Sequence, residues 1–154
     1  VANLERRQYP DFIEARSPLS SRGNSCAAIL MLSSFISGAE HIYLACGATD
    51  FRKQAESLVA MVTMKFKLDP YSPVCVFLFC NKNKTAIKVL RYDKNGFILA
   101  SKKLLEGMKF QWPKTEEEVK DISFRQVEWL LEGLSIEQQK AHRDIMLELK
   151  NTCY

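Results

Sequence analysis

The run Val74 to Cys80, VCVFLFC, contains no polar position. It is too short for a typical helix and rich in β-formers, so it predicts a central strand buried on both faces. Upstream, His41 to Cys46 (HIYLAC) predicts a short strand ended by Gly47. Thr49 or Asp50 then offers an N-cap, and Phe51, Ala55, Leu58, Val59, Val62 and Phe66 recur at helical spacing. The pattern predicts an amphipathic helix from Asp50 to Lys67, stopped at Asp69-Pro70 because proline disfavours helix in the residue before it.

Downstream of the apolar run the period changes to two. Asn81 to Lys84 reads as a turn, Ala86 to Tyr92 as a strand, and Asp93-Lys94-Asn95-Gly96 as a tight hairpin turn with Gly96 supplying positive φ. Phe97 to Lys103 follows as a further strand, and Met108 to Trp112 as a short one. After Pro113 an acidic stretch, Thr115 to Asp121, precedes two capping-box signatures, Ser123 with Gln126 and Ser135 with Gln138. They predict a helix from Phe124 to Glu132, stopped by Gly133, and a second from Ile136 to Lys150. The expected fold is α+β: an antiparallel β-meander of four to five strands packed on one amphipathic helix, with a C-terminal helical pair.

The first thirty residues show no sustained period, two prolines and a Ser/Arg/Gly/Asn cluster from Ser17 to Ser25. The expected organisation is therefore a leader over 1–30, non-native or poorly ordered, an α+β domain over 31–134 and a C-terminal helix and tail over 135–154. Met31 is the expected natural start.

Composition places this pattern in an ordinary globular chain: 154 residues, 47% hydrophobic and 26% charged, enough to bury a core without disulfides or metals. The five cysteines, Cys26, Cys46, Cys75, Cys80 and Cys153, form an odd set without a C-x-x-C pair, which suits reduced thiols in a cytoplasmic protein. His41 and His142 have no ligand-spaced companions, so no metal or other cofactor is expected. No apolar run approaches the roughly 18 residues of a membrane span; the longest, Cys26 to Ile36, starts too deep in the chain for a signal peptide. Neither a membrane nor a small-molecule substrate is expected.

Charge alters the picture most between Asn81 and Pro113. Lys82, Lys84, Lys88, Arg91, Lys94, Lys102, Lys103 and Lys109 face Asp93 and Glu106, about +6 in a chain whose total is +4. Basic residues interleaved with Tyr92, Phe97, Phe110 and Trp112 point to nucleic acid. The plainer reading is a solvated sheet face with lysines protecting an edge and the aromatics in the core. Arg52 and Lys53 stand beside a helix start that could hold a phosphate, while a local Asp50–Arg52 pair would merely fix the corner. Gly133-Leu134-Ser135 has helix-turn-helix spacing, with Lys140, His142 and Arg143 on the second helix, but Glu137, Asp144 and Glu148 argue for packing or a protein contact instead.

Catalysis finds little support. A metal-dependent nuclease needs converging carboxylates, and Asp50 and Asp93 are explained as well by a helix start and a hairpin turn. No nucleophile elbow, phosphate-binding loop or Cys-His pair is present, and no catalytic residue is assigned.

In order and spacing, GATDFRK (Gly47 to Lys53), LDP (Leu68 to Pro70), VFLF (Val76 to Phe79), IKVLRYDKNGF (Ile87 to Phe97), KKLLEGMKFQWP (Lys102 to Pro113) and WLLEGL (Trp129 to Leu134) resemble the insertion-sequence-66 accessory protein family TnpB. The match runs from Met31 to Leu134. The resemblance implies a small bacterial protein encoded beside a transposase that assists movement of the element and lacks the catalytic DDE residues. Gly47, Asp50, Arg52, Lys53, Asp69, Pro70, Lys88, Asp93, Gly96, Phe97, Lys102, Lys103, Gly107, Phe110, Trp112 and Pro113 are the family-like positions. Gln54, where the family often has a small residue, and Tyr92, where it often has Trp, depart from it.

Taken together, the expectation is a non-enzymatic transposition factor whose Arg52, Lys53, Lys82, Lys84, Lys88, Arg91, Lys102 and Lys103 contact DNA of the element ends. The transposase of the same element is the other expected partner, and docking on it without DNA contact is the alternative. Deleting residues 1–30 should leave the melting temperature unchanged; a large drop in a thermal scan would show that the segment belongs to the folded core.

Overall fold

The computed structural model describes residues 32–140 and 142. Strand β1 (His41–Ala45) is followed by helix α1 (Ala55–Met64), β2 (Cys75–Cys80), β3 (Ala86–Asp93), β4 (Gly96–Lys103), β5 (Val119–Ile122) and α2 (Phe124–Leu131). The strands form one sheet in the order β4-β3-β2-β1-β5. All six residues of β2 are buried, as an uninterrupted apolar strand demands of its surroundings.

The α+β class and the five strands accord with the sequence, but the sheet is mixed. β1 pairs parallel with β2, His41 opposite Cys75 through Leu44 opposite Leu78. A parallel pair cannot be joined by a hairpin, so α1 is the crossover between its strands. Only β2, β3 and β4 form the antiparallel meander. β5 closes the other edge, antiparallel to β1. It arises within the acidic stretch, where Val119 and Ile122 supply apolar positions, whereas 108–112 is irregular and sends Phe110 and Trp112 into the core.

Because β2 is apolar on both faces, both faces are covered. Phe77 and Phe79 pack with Leu90 beneath Leu58 and Val62 of α1. Val76, Leu78 and Cys80 pack with Ile87 and Val89 beneath Val127, Leu130 and Leu131 of α2, with Leu32 and Ile36 from a helical turn over 32–36. The single-helix cover expected from sequence is therefore half of a three-layer arrangement.

Helix boundaries differ from expectation for identifiable reasons. α1 begins at Ala55 rather than Asp50, because Asp50 turns its carboxylate onto the Arg52 N–H at 3.0 Å and residues 50–53 form a turn. It ends at Met64 rather than Lys67: Lys67 takes φ 57°, in the left-handed position that commonly terminates helices. At the 93–96 hairpin the positive φ falls on Lys94, at 48°, not on Gly96.

The capping box of α2 is present, with Ser123 Oγ accepting from Gln126 N–H at 3.2 Å and Gln126 Oε1 from Ser123 N–H at 2.9 Å. The second box is not. Ser135 Oγ accepts from Glu137 N–H at 3.1 Å, the Ile136 carbonyl accepts from Gln126 Nε2 at 3.0 Å, and residues 136–140 are not helical. Apart from His142, which is not helical, the remainder of the expected second helix and the whole of 1–30 lie outside the described residues.

Phe77 sits at the middle of β2, with 2% of its surface exposed. Phe77→Ala should cost about 3–5 kcal/mol of unfolding free energy, read as a lower urea midpoint; a change under about 1 kcal/mol would mean that β2 is not the centre of the core.

Candidate nucleic-acid interface

Parallel pairing brings the carboxyl ends of β1 and β2 to the same end of the sheet, the position where open α/β sheets form binding crevices. The chain leaving β1 is fixed there by backbone bonds: Cys46 N–H to Glu118 C=O at 3.0 Å, Gly47 N–H to Pro113 C=O at 3.2 Å, and Thr49 N–H to Cys80 C=O at 2.8 Å. Trp112, buried beside it, donates its indole N–H to the Ala45 carbonyl at 2.8 Å. An indole with an apolar body and a satisfied N–H locks the segment 110–113 against the end of β1.

The chain leaving β2 is held as tightly. Asn81 Oδ1 accepts from the N–H groups of Thr85 at 2.8 Å and Ala86 at 3.1 Å, while its Nδ2 donates to Thr85 Oγ1 at 2.9 Å. This side-chain brace supports a turn in which Lys84 takes φ 60°, a conformation that disfavours any residue with a Cβ. The Lys84 carbonyl accepts from Phe110 N–H at 2.8 Å, joining the turn to the 110–113 segment.

Lys88 lies beneath these loops. Its Nζ donates to the carbonyls of Phe51 at 2.8 Å and Lys53 at 2.9 Å and sits 5.0 Å from the centre of the Phe51 ring. A nearly buried ammonium is tolerated because two charge-assisted hydrogen bonds and a ring face replace its water. Lys88 therefore anchors the corner between β1 and α1 and has no path to a phosphate. Arg91 is also engaged by the protein, at the other end of the sheet: its Nη1 donates to the carbonyls of Phe35 at 2.7 Å and Ser37 at 3.1 Å, closing the helical turn over 32–36.

Arg52 is paired yet exposed. Its Nε and Nη2 reach Asp50 at 3.1 and 2.8 Å, and 91% of its side chain remains accessible. The hydrogen bonds from Arg52 hold the Asp50 carboxyl at about 2. The pair thus supports the corner above the ordinary carboxylate range and loses that support as pH falls toward this value. Burial pushes the Cys80 thiol up to about 11, so it is protonated at neutral pH and no nucleophile.

The remaining sequence-predicted cations converge. Lys82 and Lys84 project from the exposed turn after β2. Lys102 and Lys103 end β4 opposite Ile87 and Ala86, at the start of β3 and thus beside the same turn. Strand alternation places Lys103 on the α1 face and Lys102 on the α2 face. Arg52 and Lys53 complete the end from the α1 side. Six of the eight expected positions therefore share the rim at which β1 and β2 terminate. Asp50 and Asp93 stand at opposite ends of the sheet, so they cannot meet on one metal ion.

Two adjoining clefts open at this rim. One, of about 350 Å³, is lined by Gly47, Ala48, Asn81, Lys82, Lys84, Trp112, Pro113 and Lys114. The other, of about 390 Å³, shares Ala48, Asn81 and Lys82 and extends to Thr49, Phe51 and Asn83. Lys114 was missed by the sequence reading, since it follows the proline that closes the basic segment. Nothing local to it signals a site; the Gly47–Pro113 contact carries it there. Glu116 to Glu118, leading into β5, make the far side of the rim acidic.

The model of a family described as IS66 Orf2 like protein, TnpB_IS66, matches residues 40–141, which include both clefts. A relative from Sinorhizobium fredii (strain NBRC 101917 / NGR234), named uncharacterized protein y4hO, is 33% identical over 93 residues, 60% of this chain and 79% of its own length. No solved structure matches the chain.

Lys88→Met keeps the aliphatic stem and removes the ammonium. It should cost about 1.5–3 kcal/mol in a urea titration, the worth of a charge-assisted hydrogen bond; unchanged stability would mean that the corner does not depend on Lys88.

Proposed function

Because the chain belongs to the IS66 Orf2-like family, we propose that it is an accessory protein of bacterial insertion-sequence transposition that holds DNA of the element ends, alone or with the transposase, through the basic end of its sheet. The observation that carries this reading is the convergence of Arg52, Lys53, Lys82, Lys84, Lys102, Lys103 and Lys114 on one rim from separate segments of the chain. Among the described residues Lys82, Lys84, Lys102, Lys103 and Lys114 form no ion pair, so their charge is available to an anionic partner. The role assigned is binding, and chemistry on the DNA is left to the transposase. No helix among the described residues is long and apolar enough to cross a membrane.

A second reading, docking on the transposase without touching DNA, is favoured by a different feature. Beside β4 lies a largely apolar groove of about 460 Å³, lined by Leu32, Phe35, Ile98, Leu99 and Ala100 and reaching Ser101 and Lys102 at the rim, with Ile98 43% exposed. Leu105 and Met108, in the loop that follows β4, are exposed as well. Such a surface suits a protein better than a phosphate backbone.

A titration against element-end duplex at several salt concentrations separates the two. DNA binding through the rim should show log affinity falling against log salt by about 0.9 for each phosphate neutralised, with Lys102→Ala and Lys103→Ala each reducing the slope by about that amount. A salt-independent signal, or none, would remove the DNA reading, and transposase co-purifying after nuclease treatment would then support docking alone.

A further inference from the structure

We infer that the two clefts flanking Lys82 hold an unpaired DNA strand in preference to duplex. This rests on the DNA-binding reading above and specifies the form of DNA that the site takes. The clefts share Ala48, Asn81 and Lys82, so they adjoin as one trough between the loop after β1 and the turn after β2. Each is a few hundred Å³, at the lower end of the range of small-ligand pockets and of a size for a nucleotide rather than a double helix. A duplex carries its phosphates on a convex cylinder and can meet only the lips of such a recess. An unpaired strand can turn a sugar and base inward while its phosphates stay with the cations at the rim.

The lining has the composition that this requires. Lys82, Lys84 and Lys114 stand around one cleft on two different segments, with no ion-pair partner among the described residues. Pro113, with the buried Trp112 behind it, backs one side, and Phe51, one face of whose ring is covered by Lys88, lies on the other. The Gly47-Ala48 floor carries almost no side chain, so a strand can approach the backbone closely. Asp50 also lines the trough, and its charge is countered by the two-point pair with Arg52. The recess is held open by the Thr49–Cys80, Gly47–Pro113 and Phe110–Lys84 backbone bonds, so it exists before anything enters it.

The test compares a labelled single strand of about 12 nucleotides, within the span that one basic groove covers, with the duplex of the same sequence. In full-length protein carrying Trp129→Phe, Trp112 is the one remaining tryptophan. The single strand should bind about tenfold more tightly than duplex, the worth of one well-placed base contact, and should change Trp112 emission. Lys82→Ala and Lys114→Ala should each lower the single-strand salt slope by about 0.7, while Lys65→Ala, on the exposed turn after α1, leaves it unchanged. Duplex bound as tightly as single strand, or a slope that neither Lys82→Ala nor Lys114→Ala lowers, would overturn the trough while the basic rim stood as a duplex-binding surface. Absence of binding to either form would remove the rim reading as well.

Discussion

Strand β2 has no face to offer to water, and the architecture follows from that constraint. Six consecutive buried residues need neighbours on both edges and cover on both faces. β3 and β1 supply the edges, α1 one face, and α2 with the 32–36 turn the other. With β1 parallel to β2, the chain must cross over the sheet between them, and α1 is the element that makes the crossing. The same parallel pairing places two strand ends side by side and leaves a crevice where their chains diverge. A purely antiparallel meander of the same residues would have no such crevice.

The basic residues divide according to what this frame leaves them. A lysine of β3 beneath the 51–53 turn cannot reach water, so Lys88 becomes a structural cation whose partners are two carbonyls and an aromatic ring. Arg91, further along the same strand, closes a helical turn. Lysines at strand ends and turns keep their charge in solvent. Position in the sheet, rather than charge density along the chain, decides which cations serve the fold and which remain for a partner. The hydrogen bonds that offset the burial of Lys88 also fix the backbone of Phe51, which lines one of the clefts, so the two groups are mechanically linked.

The rim is polarised as well as basic. Cations from the β2–β3 turn, the end of β4 and the 110–114 segment face Glu116 to Glu118 on the β5 side. A bound polyanion would be steered toward the β2–β4 half and away from β5. The apolar groove beside β4 lies next to the basic half, so one surface could accommodate DNA on the rim and a protein along the strand edge. That arrangement would suit a factor that brings a transposase and an element end together.

Much of this was legible in the residues themselves. An unbroken apolar run this short and rich in β-formers reads as a central strand, and a Ser-x-x-Gln before an apolar run can form a capping box, so β2 and the start of α2 follow from local chemistry. The α+β class and the basic character of the Asn81 to Pro113 segment are likewise properties of consecutive residues, as are the motifs that mark the family. What the chain could not reveal by itself is long-range. Strand direction depends on which neighbour wins an edge, and β5 emerges from an acidic stretch because β1 offers an unpaired edge there. The second capping box fails because the Ser135 hydroxyl turns to Glu137 instead, next to an Ile136 carbonyl held by a side chain ten residues away. Lys88 and Lys82 are the same side chain six positions apart, one buried beneath Phe51 and the other open to solvent. Only the packing of the 51–53 turn over β3 separates them, because desolvation is a property of the surroundings and not of the residue.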